Sequence, residues 1–269
     1  MIIAGIGGLF VIVGVVLALV RRSQQAKLQA IASTETSTVQ ELSSLASSVN
    51  NELQSIGQAG GTGFRQMAEL KGVIRSDSPL TSEVANQPCV YYKMEVRREY
   101  EESQYDSEKG RHETRRTSET LSNNSQHVPF WLEDATGRIL VQPAGAQIDA
   151  QKVVDRFEPA QAIGGTISFG AFSLAIGGGG AGRTLGYRFE ESILPLDRAV
   201  YLLGEASTSS GSLAIQKPLD KGKRFIISVK SEEELMRSTG SAVMWLLAGA
   251  IGSGVVGVAL VAAGMLGRL

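Results

Sequence analysis

The sequence predicts an α+β membrane protein. Two transmembrane helices flank a β-rich domain, antiparallel and barrel- or sandwich-like, that begins with an amphipathic helix. Three observations predict it. The opening stretch, MIIAGIGGLFVIVGVVLALV, holds no charge and is almost wholly apolar. A second uncharged run goes from Ser241 to Gly267. Between them the apolar period changes to two and turn residues recur at short intervals, which is the pattern of strands.

Residues 1–22 read as the first transmembrane helix. At about 1.5 Å per residue the apolar run covers roughly 30 Å, the hydrocarbon thickness of a bilayer. Arg21 and Arg22 follow at once. A cleavable signal carries its charge before the apolar run and a small-residue cleavage site after it, so this segment reads as a retained anchor. Residues 23–63 read as a stalk helix with a glycine linker. Leu28, Ala32, Glu35, Val39, Leu42, Ala46, Val49, Leu53 and Ile56 fall at alternating spacings of four and three, a heptad register. Glu35 puts a charge in that seam. Two readings stay open: the helix pairs with copies of itself, or it packs on the domain. QAGGTG, Gln58 to Gly63, ends it.

Residues 64–230 read as the β domain. LKGVIRS enters a turn at DSPL, and CVYYKMEVRREYEE alternates Val90, Tyr92, Met94 and Val96 with Tyr91, Lys93, Glu95 and Arg97. VPFWLEDATGRILVQPAG reads as two strands around the turn Asp134 to Gly137. TLGYRFEESIL, AVYLLGEAS, SLAIQKP and RFIISVK are further strands. The polar stretch from Glu99 to Gln126 reads as a long exposed hairpin or a loop. The uncharged stretch Ala160 to Gly182 reads as a core strand, Thr166 to Ile176, before a slack glycine turn, with a flexible loop that touches lipid or a neighbouring subunit as the alternative. Residues 231–240 read as a juxtamembrane helix opened by a Ser231–Glu234 capping box. Residues 241–267 read as the second transmembrane helix, with Trp245 near its start, where an amphipathic ring suits the interface. Gly249, Ser253 and Gly257 share one face, a small-residue pattern that lets another helix approach closely.

Several chemistries are excluded. The net charge of −1 argues against nucleic acid, which needs a concentrated positive footprint. Cys89 is the single cysteine and cannot form an intramolecular disulfide. IGGGGAGRTLGYR, with Gly177, Gly182, Arg183 and Thr184, imitates a phosphate loop. Such a loop needs a helix behind it, and here Leu185, Tyr187 and Phe189 alternate as a strand. Arg183 also replaces the lysine whose compact ammonium reaches between phosphates. Cys89, His112 and His127 are too few for a four-ligand zinc site, and the histidines sit in or beside the polar stretch, a poor place for a buried base. The expectation is no catalytic residue, no metal and no cofactor.

The ordered blocks KGVIRSDSPLTSEVANQPCVYYKMEVRREYE, FWLEDATGRILVQPAGA, LGYRFEESILPLDRAVYLLGEAS and RFIISVKSEEEL, ahead of a membrane span, resemble the GIDE or beside-a-membrane domain. That domain belongs to mitochondrial and chloroplast outer-membrane RING ubiquitin ligases. The resemblance covers roughly residues 65 to 265. It implies a two-span protein whose middle domain sits against the bilayer as a regulatory or partner-sensing module. It also makes several positions family-typical: Gly72, Pro79, Leu80, Cys89 and Tyr92, then Glu99, Gly137, Pro143 and Gly186, and lastly Glu190, Leu194, Pro195, Gly204 and Glu205. Their implied roles are structural. In the organellar ligases a RING after the second span performs the transfer. This sequence reaches Leu269 without RING ligands, so ligase activity is expected to be absent.

The functional expectation is a membrane-anchored, non-catalytic binding or scaffold protein. Its expected partners are the lipid bilayer, further copies of itself through stalk and transmembrane helices, and an unknown protein. A component of a ubiquitin-ligase-like system and a membrane-shaping assembly are the alternatives. Arg21, Arg22, Lys27, Lys230 and Arg237 flank the spans on the domain side and only Arg268 lies beyond, so the positive-inside rule puts the domain in the cytoplasm. The family resemblance implies a periplasmic or intermembrane-space position instead.

Overall fold

The computed structural model describes residues 2–55, 63–106, 110–160, 166–169, 172–175 and 182–266. The chain divides into two compact units. One holds residues 1–36, 219–224 and 230–269; the other holds residues 37–218 and 225–229.

The first unit is a helix pair, α1 (Ile2–Ala32) and α3 (Glu232–Leu266). Gly7 lies against Gly257 and Val261, Gly14 against Ala250 and Ser253, and Gly249 against Leu17, so the helices run antiparallel. A Cβ added at Gly257 would meet the carbonyl oxygen of Gly7 at 2.9 Å and the backbone nitrogen of Val11 at 3.0 Å. Glycine on both sides is what permits this approach. Both helices are long and apolar enough to cross a membrane, over Ile6–Ala32 and Glu232–Ala262. Their apolar windows are only 11% and 6% buried, unlike the core helix of a soluble domain. Leu9, Ile12, Leu19, Met244, Ile251 and Val255 are all exposed.

α1 does not stop at Arg22. QQAKLQAIA carries it to Ala32, and Ser33 N donates to Gln29 O at 3.0 Å at its end. At the start of α3, Ser231 N donates to Glu234 Oε2 and Glu234 N donates to Ser231 Oγ, each at 3.2 Å. The capping box is therefore present, but residues 231–240 are no separate element: one helix runs through to Leu266.

The second unit starts with α2 (Val39–Ser55). The continuous stalk expected over 23–63 is interrupted at residues 33–38, where Ser and Thr favour caps over helix interior. Thr38 and Glu41 form a reciprocal box, at 2.8 and 3.2 Å. Asp134 Oδ2 accepts Val39 N at 2.9 Å, and Thr136 Oγ1 accepts Gln40 N at 3.0 Å. Val39, Leu42 and Ala46 join the core of the β domain, and Val49 packs against it. The apolar seam of residues 39–49 is thus consumed inside the chain, as the second of the two stalk readings requires. The linker at 58–62 lies outside the described residues.

The strands are β1 (Arg65–Arg75), β2 (Leu80–Thr81), β3 (Pro88–Asp106), β4 (Arg111–His127), β5 (Phe130–Asp134), β6 (Gly137–Val141) and β7 (Gln147–Asp149). They continue with β8 (Gln151–Pro159), β9 (Thr166–Phe169), β10 (Phe172–Ala175), β11 (Arg183–Pro195), β12 (Ala199–Ser207), β13 (Ala214–Gln216) and β14 (Ile226–Ser228). β1 pairs β5, β5 pairs β6, β6 pairs β13, β13 pairs β12, and β12 returns to β1. The ring closes into a barrel, which removes its edges. Inside lie Ala68, Leu70, Phe130, Leu132, Leu202 and Ile215, among others. β14 and β7 extend from β12. The pairs β6–β13 and β7–β14 are parallel, so the expected antiparallel sheet is mixed.

A second sheet has the order β2-β3-β11-β8, with β4 also on β3. The polar stretch resolves as the hairpin of β3 and β4, paired from Tyr91↔His127 to Asp106↔Arg111. The single core strand expected over Thr166–Ile176 is instead two short strands, β9 and β10, paired to each other. Gly170 divides that run in the sequence and breaks its alternation.

One prediction concerns the docking of α2. Burial works to raise the carboxyl of Asp134, but the bonds from Val39, Thr136 and Gly137 outweigh it and hold it below the usual carboxylate range. A depressed carboxyl contributes stability above its unfolded pKa of about 4, and that contribution is lost as pH falls through the lower folded value. Asp134→Ala should therefore cost about 1–2 kcal/mol at pH 7, the scale of a lost cap. The gap from wild type should shrink in acid, as read from urea midpoints at both pH values.

Candidate functional site

The outer face of the second sheet gathers the charged side chains of the β domain. Strand alternation puts Tyr92, Met94 and Val96 of β3 in the interior and sends Lys93, Glu95 and Arg97 outward. β11 adds Arg188 and Glu190 beside them, and β8 adds Lys152 and Asp155. The charges link in a chain. Glu95 meets Arg97 at 3.6 Å, Arg97 meets Glu190, and Glu190 accepts Lys152 Nζ at 2.6 Å. Lys152 also meets Asp155 at 3.2 Å, Asp155 accepts Arg188 at 2.8 Å, and Arg188 reaches Glu99 at 2.9 Å. Hydrogen bonds from Arg188 and Lys152 lower the carboxyl of Asp155. The bond to Glu190, then that to Asp155, raises the Lys152 ammonium. Exposed pairs of this kind add little stability one by one. Their effect is to fix long side chains in a defined pattern.

Within this face Arg97, Glu99, Arg116, Thr117, Ser118 and Arg188 line a cavity of about 280 Å³. Arg116 itself pairs with Glu101 at 3.3 Å. Arg98 clamps the hairpin from the other side. It is buried, donates to Thr184 Oγ1 and Glu119 Oε1 at 2.8 Å each, and lies 4.5 Å from the Tyr100 ring. Arg98 had no mark in the sequence beyond its place in an alternating strand.

Behind the face lies a buried polar latch. Glu191 of β11 is fully buried and accepts Val84 N at 2.9 Å and Ala85 N at 2.7 Å. It holds the turn before β3, in which Asn86 has a φ of 56°. Tyr92 Oη donates to Glu83 Oε1 at 2.9 Å. Burial, then the bond to Glu83, pushes the Tyr92 hydroxyl up. Burial, then the charge of Glu191, pushes the Cys89 thiol up to about 11. A thiol in that state is a poor nucleophile.

The positions singled out from the sequence are dispersed. Glu99 and Glu190 fall on the charged face. Glu205 is on β12, with Arg65 at 3.5 Å. Gly72 sits where a Cβ would meet Glu133 O at 2.7 Å, and Gly204 where one would meet Ile215 and Phe225. Gly186 faces Phe157, and Gly137 faces Val39. The Pro143 carbonyl accepts Ala146 N in a turn, and Pro79 precedes Leu80 of β2. Leu194 is buried in the barrel core, beside Pro195 at the end of β11. Gly249, Ser253 and Gly257 face α1.

Gly177 lies outside the described residues. Gly182, with a φ of +83°, leads into Arg183 and β11, so a strand follows the glycine run. His112 Nδ1 is 3.2 Å from Ser103 Oγ, and His127 is exposed at the end of β4. Among the described residues no group of three or more His, Cys, Asp or Glu side chains could hold a metal.

A closed barrel, a charge-laced second sheet and two helices of membrane-crossing length define a class: a β-domain protein with an apolar helix at either end. The family described as GIDE, E3 ubiquitin ligase, matches residues 98–263, and the chain belongs to that family. No curated protein and no solved structure matches it.

Proposed function

We propose that this chain is a membrane-anchored, non-catalytic binding protein of the GIDE family, with the charged face of β3, β4, β8 and β11 as its protein-docking surface. One observation carries the reading: the two helices bracketing the β domain leave most of their apolar surface uncovered by the chain itself. A bilayer is the solvent that such surface requires. The basic residues next to the spans, Arg21, Arg22, Lys27, Lys230 and Arg237, favour a cytoplasmic domain in this reading. Self-association belongs to the outer faces of α1 and α3, since α2 spends its apolar face on the barrel.

Membership in a family described as E3 ubiquitin ligase favours a second reading, in which the chain presents substrate to a RING carried by another protein. The 269 residues hold one cysteine and two histidines, against four ligands for a single structural zinc. Ubiquitin discharge from a charged conjugating enzyme separates the two readings. The purified full chain should leave the rate unchanged, with or without an isolated RING domain. Acceleration only with the RING domain would establish the second reading, and acceleration by the chain alone would overturn the non-catalytic one. Light scattering in detergent tests self-association: a monomer would count against it.

A further inference from the structure

The loop from Leu219 to Arg224 groups with α1 and α3 rather than with the strands on either side of it. Its sequence, LDKGKR, holds three basic residues and one acid. Asp220 is engaged in the turn: its Oδ1 accepts Gly222 N at 2.8 Å, and its carbonyl accepts Lys223 N at 3.1 Å. Arg224 ties the loop to α1, donating to the carbonyl of Ser23 at 3.1 Å and to its hydroxyl at 3.2 Å. Ser23 follows Arg21 and Arg22, where the uncharged run of α1 ends. The loop is thereby pinned at the level where apolar helix surface gives way to charge.

What the loop displays there is specific. Leu219 is 70% exposed. The side-chain cations of Arg22, Lys221 and Lys223 are exposed and have no partner among the described residues. The acids that open α3 are occupied: Glu234 in the capping box, Glu232 and Glu233 with partners of their own. We propose that this loop, with Arg22, is a binding site for acidic phospholipid headgroups. Leu219 enters the interfacial layer, and the cations of Arg22, Lys221 and Lys223 meet the lipid phosphates. Each basic residue near an anionic leaflet favours association by about fivefold. The proposal rests on the membrane-spanning reading above.

Trp245 reports on both. It is 78% exposed on α3, and the antiparallel pairing of Leu17 with Gly249 sets it nearly level with Arg21. In a Trp131→Phe background it is the sole tryptophan, because the chain has two. The full chain is reconstituted in vesicles of equal parts phosphatidylcholine and phosphatidylglycerol, with bromine on the acyl chains of one lipid at a time. Brominated phosphatidylglycerol should quench Trp245 more strongly, by a severalfold local enrichment. The excess should vanish in the Lys221→Gln, Lys223→Gln double variant and in high salt. Equal quenching by the two lipids would overturn the lipid site while leaving the spanning helix intact. An excess that survives the double variant would overturn its assignment to this loop. No quenching by either lipid would overturn the spanning reading, and the site with it.

Discussion

Replacing Glu191 with alanine lowers the stability of the β domain by about 2–6 kcal/mol and frees the turn ahead of β3. Glu191 is fully buried, and its two oxygens take up the backbone N–H groups of Val84 and Ala85. Alanine removes both acceptors and leaves two donors without partners, each at about 1–3 kcal/mol. Glu191→Gln keeps one acceptor and sets an amide donor against the other N–H, so an intermediate loss is expected. Cys89 supplies an independent reading. Its thiol is buried and held up to about 11, and it should resist maleimide at neutral pH in the wild type. In Glu191→Ala the turn loosens and Cys89 becomes reactive. Unchanged urea midpoint and thiol reactivity would show that the latch does not hold the turn.

Gly257→Leu should separate α1 from α3. A side chain there starts within 3 Å of the Gly7 carbonyl and of a Val11 methyl, and backbone on the far side cannot give way. Forcing added carbons into a packed contact costs about 1–3 kcal/mol. Cysteines at Gly14 and Ser253 report the result, because a Cβ at Gly14 lies 3.1 Å from Ser253 Oγ. Their disulfide should form readily in the otherwise unchanged chain. It should fall about tenfold or more when the Gly257→Leu substitution is added, the factor for 1.4 kcal/mol. Gly252→Leu is the control, since nothing lies within 4 Å of that position. Equal cross-linking in both variants would place the small-residue face elsewhere.

Much of this architecture was legible because its signals are local. Uncharged runs mark α1 and α3, the Ser231–Glu234 box marks the start of α3, and Asp134 to Gly137 marks the β5–β6 turn. What was not legible depends on distance along the chain. Heptad spacing carries across residues 33–38 although the helix stops there; the Thr38–Glu41 box was the available signal. β7 and β8 were missed because Gln147 to Pro159 lacks clean alternation. The parallel pairing of β13 with β6 joins residues about 75 positions apart, which no turn specifies. Glu191 reads as one more carboxylate in FEES until folding buries it against the turn at Val84 and Ala85. Of the charged face, Glu99 and Glu190 were singled out for family likeness alone. Their arginine and lysine partners become visible only when β3, β11 and β8 lie in register.

On the proposal that α1 and α3 both span the bilayer, their antiparallel pairing leaves both chain termini on the face opposite to the β domain. Epitope tags on either terminus and a cysteine at Ser125, exposed on β4, test this in sealed vesicles. An impermeant maleimide should reach position 125 from the face opposite to both tags. Labelling of position 125 from the same face as either tag would contradict two spanning helices.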